Sequence, residues 1–68
     1  MHDGTIIRLH LSRGFGFIAS PNQPDTFFHC KDLADGLPFD ETLQELRVRF
    51  DIVTTAKGQR AASVRPAK

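Results

Sequence analysis

The sequence predicts an all-β fold, five short antiparallel strands closed into one small barrel. Apolar residues alternate with polar ones over short runs, the period of a half-buried strand. Gly, Pro and Asn punctuate the chain between these runs. The one stretch with a helical start, Asp40 to Leu46, is too short to be stable alone. Five such runs suit a closed sheet, because closure removes the edges that a chain without a covering helix would leave exposed.

Each element has its own warrant. After a loose start over Met1 to Asp3, residues 4–11 (Gly-Thr-Ile-Ile-Arg-Leu-His-Leu) are β-branched and roughly alternating, a first strand. Ser12, Arg13 and Gly14 make a tight connection, with Gly14 free to take positive φ. A second strand follows from Gly14 to Ser20. Residues 20–25, with Pro21, Asn22 and Pro24, read as a loop before a third strand from about Asp25 to Cys30. Lys31 to Pro38 is a turn or a single helical turn, and Asp40 is an N-cap candidate for the short helix after it. From Arg47 the chain alternates again, with Val48, Phe50 and Ile52 on one face and Arg47, Arg49 and Asp51 on the other. Ala56 to Gln59 turns the chain into a last strand, Arg60 to Val64, ending at Pro66. A five-stranded Greek-key barrel of the OB type fits this series.

Length and composition bound the rest. At 68 residues the chain is one domain, spanning 1–68, with no room for a second. Its single cysteine, Cys30, forms no internal disulfide, which suits a reducing compartment. No apolar run approaches the roughly 18 residues of a membrane span, and no signal peptide is expected. The expectation is a cytoplasmic monomer. The net charge of +1 does not by itself announce a polyanionic partner. Its distribution is uneven. Acids Asp32, Asp35, Asp40, Glu41, Glu45 and Asp51 face only Arg47 and Arg49 up to Val53, while Lys57, Arg60, Arg65 and Lys68 follow without an acid. The fold then has either one basic and one acidic face or a well-mixed surface.

The informative stretch is Arg13-Gly14-Phe15-Gly16-Phe17-Ile18. It and Thr26-Phe27-Phe28-His29 hold four of the six phenylalanines. In a strand, Phe15 and Phe17 share one face and Gly16 and Ile18 the other. In the next strand Phe27 and His29 share a face opposite Thr26, Phe28 and Cys30. So short a chain cannot bury both faces deeply. Phe28 is the better core candidate, which leaves Phe15, Phe17, Phe27 and His29 as one aromatic platform. Core packing is the competing reading of those rings, and a satisfied structural histidine that of His29. Bases stack on such a platform at roughly 1–3 kcal/mol each, and Arg13 at its edge offers a planar cation.

Other chemistries fail on spacing. Gly14-x-Gly16 lacks the third glycine and the helix of a dinucleotide fingerprint. His2, His10, His29 and Cys30 have poor ligand spacing, so no metal or cofactor is expected. Asp40 and Glu41 are adjacent and do not form a catalytic carboxylate pair. Cys30 points inward by strand parity, and no nucleophile signature is present. No enzyme and no small-molecule substrate is predicted.

The motifs together resemble a bacterial cold-shock domain over essentially the whole chain. The resemblance rests on Gly4-x-Ile6, the Arg13–Ile18 and Asp25–His29 stretches (the family's RNP1 and RNP2 motifs), Phe50-Asp51-Ile52, and Lys57-Gly58-x-x-Ala61-Ala62-x-Val64. It implies a barrel that binds single-stranded RNA or DNA, with Phe15, Phe17, Phe27 and His29 as stacking residues. By the same resemblance Phe39 is a stacking loop phenylalanine, or else a barrel cap. Lys57 is a basic loop residue, or else part of a solvated turn. Ile6, Ile18, Phe28, Leu33, Val48, Ile52 and Val64 would form the core.

The chain departs from the family where the first strand usually reads Lys-Trp-Phe-Asn. Here it reads Ile7-Arg8-Leu9-His10, so Arg8 and Leu9 replace an exposed tryptophan and phenylalanine. The second motif ends His29-Cys30 rather than His-Phe, and Gln44-Glu45-Leu46 replaces the usual Glu-Gly-Gln. Weaker or differently selective binding is the expectation. Arg8, Arg13 and Lys57, with Arg60 as a further candidate, would hold the nucleic-acid backbone, in RNA-chaperone or antitermination chemistry that regulates gene expression. The alternative is a protein-interaction OB domain with weakened nucleic-acid affinity. A third reading is an accessory domain of a longer protein.

Overall fold

A computed structural model describes residues 2–34 and 36–67; Met1, Asp35 and Lys68 lie outside them. The strands are β1 (His2–His10), β2 (Phe15–Ser20), β3 (Gln23–His29), β4 (Arg47–Thr55) and β5 (Gly58–Pro66). They close into a barrel in the order β1-β2-β3-β5-β4. Single 3-10 turns at Cys30–Asp32 and Glu41–Leu43 lie in the crossover from β3 to β4. The expected loose start falls partly on Met1, outside the described residues. His2 and Asp3 already belong to β1, paired with Phe50 and Arg49.

The barrel is closed as expected, but it is not wholly antiparallel. β3 and β5 run parallel, paired through Phe27 and Arg60. The reason is arithmetic. Directions around a closed ring alternate throughout only when the strand number is even, so five strands leave one seam where neighbours run the same way. The seam is short, and the chain beyond β3 extends it with a parallel bridge between Leu33 and Val64 and the Ala34 N–H donating to the Val64 carbonyl at 2.8 Å.

The predicted loop at 20–25 is shorter than expected. Pro21 and Asn22 alone make the turn, with Asn22 at φ 61°, and Ser20 already pairs with Gln23. Proline followed by a residue able to take positive φ is the pattern of a type II turn. Pro24 then lies inside β3, on a stretch exposed to solvent. The helix expected from Asp40 is a single turn. Asp40 caps it, its side chain accepting the Thr42 N–H at 2.9 Å. It stops because Glu45 turns into the left-handed region at φ 65° and the chain docks on β1. There the Glu45 N–H donates to the Ile6 carbonyl at 2.7 Å, and the Ile6 N–H to the Leu46 carbonyl at 3.0 Å.

The core is Ile6, Ile18, Phe28, Leu43, Val48, Phe50, Ala61 and Val64, all fully buried. Leu33 and Ile52, expected inside, pack against this cluster half-buried, and Leu43 joins it from the 3-10 turn. Gly16 is where close packing requires glycine. A Cβ there would stand 2.6 Å from the Arg8 carbonyl oxygen and 2.9 Å from two ring atoms of Phe28. Phe28 can therefore pack close against the β2 backbone, and the β2 phenylalanines are left to the opposite face.

Candidate nucleic-acid interface

β2 is the centre of the exposed face, with β1 on one side and β3 on the other. The register sets Phe15 opposite His29 and Phe17 opposite Phe27. Strand alternation sends Phe15, Phe17 and Phe27 outward together, each half-buried and none in the core cluster. The Phe15 and Phe27 rings lie 5.5 Å apart and 36° from parallel. Phe17 stands edge-on to both, at 6.0 Å from each. This is one aromatic surface across two strands.

A bulge in β1 decides what flanks it. The register slips between Ile6 and Arg8, so Ile7 is an extra residue, 42% exposed, and Arg8 also faces outward. An inserted residue reverses the parity of everything after it. Ile6 stays in the core, Leu9 returns to pack against it, and Arg8 lies opposite Phe17. Leu9 therefore does not stand in for an exposed aromatic. His10, which sequence reasoning did not place in the site, lies opposite Phe15 with the ring centroids 4.5 Å apart and 29° from parallel. The signal was available in the four-residue connection Leu11–Gly14, which pairs the residues on either side of it. Gly14 at φ 78° closes that connection, its N–H donating to the His10 carbonyl at 2.9 Å.

His29 ends β3 at the rim of the platform and also caps the 3-10 turn after it. Its Nδ1 accepts the Lys31 N–H at 3.1 Å, while its own N–H donates to Asp32 Oδ2 at 2.8 Å. With Nδ1 used as acceptor, the neutral ring carries its proton on Nε2, the nitrogen left for a ligand. The strand ends here, so parity does not extend to Cys30. That residue opens the 3-10 turn half-buried rather than pointing inward, its Sγ 3.6 Å from His29 Nδ1.

Of the predicted cations, Arg8, Arg13 and Lys57 are exposed. Among the described residues none of the three has a carboxylate partner. Lys57 lies in the β4–β5 turn. With Phe27, Thr55, Gly58, Gln59 and Arg60 it lines an open cleft of about 320 Å³. Arg60 is already engaged within the protein, donating to Asp32 Oδ2 from Nε at 3.1 Å and from Nη2 at 2.7 Å. That pair occupies two of its three guanidinium nitrogens. Phe39 stands apart from the platform, half-buried with its ring edge-on to the core ring of Phe28 at 6.4 Å. One pair, Asp32 with Arg60, joins the acidic segment to the basic one, and Asp3 pairs with Arg49.

One oxygen of Asp32 thus joins the end of β3 to β5 across the parallel seam. Asp32→Ala is expected to cost about 1–3 kcal/mol in urea denaturation, because Arg60 and the His29 N–H both lose their acceptor. Asp32→Ala in an Arg60→Met background should cost markedly less. Equal costs in the two backgrounds would deny the coupling.

Comparison with known proteins gives a consistent answer. The model of the 'cold-shock' DNA-binding domain matches residues 2–67. The chain is 35% identical to cold shock protein CspC of Bacillus subtilis (strain 168) over 68 residues, covering 98% of this chain and 100% of that protein. Among the described residues no helix is long and apolar enough to cross a membrane. The chain belongs to the cold-shock DNA-binding domain family, and as a member it is a nucleic-acid-binding protein rather than an enzyme.

Proposed function

We propose that this protein binds single-stranded RNA or DNA by stacking unpaired bases on Phe15, Phe17 and Phe27. His29 presents its Nε2–H at the rim, and Arg8, Arg13 and Lys57 hold the phosphates. The observation that carries the reading is a cluster of three phenylalanines kept out of the core, with exposed cations that have no carboxylate partner among the described residues. A ring on a sheet face loses little by being covered, and every base has a π-face to cover it, so affinity is gained with modest selectivity. Duplex bases are already stacked on one another. Binding therefore captures melted strands without ATP, in the manner of an RNA chaperone or antiterminator acting in the cytoplasm as a single-domain monomer. Lys57 lines the same cleft as Phe27, which supports a contact from Lys57 to the phosphate of a base stacked there.

The test is fluorescence anisotropy of a labelled pyrimidine-rich single strand and its duplex at several salt concentrations. Single-strand binding well above duplex binding is expected. Log affinity should fall against log salt with a slope of about −2, from three cations at about 0.7 each. A folded protein that binds neither form, or both equally, would overturn the proposal and turn attention to a protein partner for the same face.

A further inference from the structure

The rings on the exposed face form a row. His10 on β1, Phe15 on β2 and Phe27 on β3 lie 29° and 36° from parallel in successive pairs. Phe17 stands edge-on to all three, at 79° to His10, 88° to Phe15 and 72° to Phe27. Because β2 lies between β1 and β3, Phe15 has a ring on each side of it. The row ends in His10 on the β1 side and in Phe27 on the β3 side. Phe27 turns its end toward the cleft at the β4–β5 turn. His10 is the other end.

Among the described residues no strand closes off the His10 end, where His10 is half-buried. β4 pairs with β1 only from His2 to Thr5. The crossover from β3 to β4 follows as far as Ile7, whose carbonyl accepts from Gln44 Nε2 at 2.9 Å. Beyond that, among the described residues, no strand lies along Arg8, Leu9 and His10 on the side away from β2. The His10 ring also differs from that of His29. Neither of its nitrogens has a hydrogen-bond partner among the described residues, whereas His29 Nδ1 is committed to Lys31. Arg8 on the same strand face and Arg13 in the adjoining turn are the charged groups nearest this end along the chain, and both are exposed.

We infer that His10 is a base-stacking residue, the end ring of the row. It takes one unpaired nucleobase of the same strand beyond those over the phenylalanines, with a ring nitrogen offered to that base or its phosphate. The inference rests on the single-strand reading above and extends it by one nucleotide. It also assigns a position where the chain departs from the family pattern to ligand binding rather than to loss of it.

The experiment is a length series of pyrimidine-rich strands of about 4 to 8 nucleotides, within the site size of one OB fold. Wild type, His10→Phe and His10→Ala are compared by anisotropy, with thermal unfolding of each protein alone. In wild type and His10→Phe the nucleotide that reaches the end ring should raise affinity about 5-fold or more, the equivalent of one stack. In His10→Ala that step should vanish while shorter strands bind as to wild type. If all three proteins gain equally at every length, the inference falls and the phenylalanine platform stands. The inference also falls if His10→Ala weakens all lengths alike with a lowered melting temperature, since His10 would then only support Phe15. If wild type binds no strand at all, the platform reading itself fails, and this inference with it.

Discussion

Replacing Phe15 and Phe27 together by alanine is expected to abolish measurable single-strand binding while leaving the barrel folded. Both rings are half-buried on the outer face, and neither belongs to the buried cluster of eight residues. Two stacks at about 1–3 kcal/mol each correspond to roughly 30- to 20,000-fold in affinity. The core is untouched, and the fold loses the contacts of the two rings with each other, with His10 and with Phe17, each aromatic pair contributing about 0.5–1.5 kcal/mol beyond its area. Anisotropy against the labelled single strand gives the affinity, and circular-dichroism melting shows that the variant remains folded. A folded double variant that binds as tightly as wild type would remove the rings from the site.

The neighbouring phenylalanine should behave in the opposite way. Phe28→Ala is expected to unfold the domain or lower its melting temperature by more than about 12 °C. Phe28 is fully buried, lies against the backbone of Gly16 and receives the edge of Phe39. Truncating such a ring costs about 3–5 kcal/mol. At about 0.05–0.15 kcal/mol per residue, a chain of 68 has only about 3–10 kcal/mol in total. Phe27→Ala, one position earlier, should shift the urea midpoint far less and the affinity far more. Equal stability losses at the two positions would mean that the two faces of β3 are not distinguished as described.

The contrast between Phe27 and Phe28 is also the clearest case of what is legible in the chain itself. Strand side chains alternate with a period of two, so once the second and third strands are recognised their faces follow from parity. A small chain can bury only one of those faces. The same local logic reaches Arg13 and Lys57, which lie in turns and so are exposed. It also reaches the alternation of β4, where Val48 and Phe50 go in and Arg47, Arg49 and Asp51 stay out. The parallel seam could have been anticipated too, since five strands in a ring must leave one.

The remainder depended on contacts between distant segments, which no local period encodes. A bulge inserts one residue, and whether β1 carries one depends on how it must bend to pair with both β2 and β4. That insertion turned Leu9 to the core and brought His10 onto Phe15. The seam between β3 and β5 brought Asp32 to Arg60, 28 residues away, and so gave a carboxylate partner to a cation that looked free in the sequence. Phe39 likewise went to Phe28 rather than to the platform, because the crossover from β3 to β4 packs against the core. By itself the sequence determined the closed β architecture and which phenylalanines face outward, because strand periodicity and turn chemistry act over a few residues. Only the tertiary structure decided which histidine and which cations accompany them, because those positions are set where the barrel closes on itself.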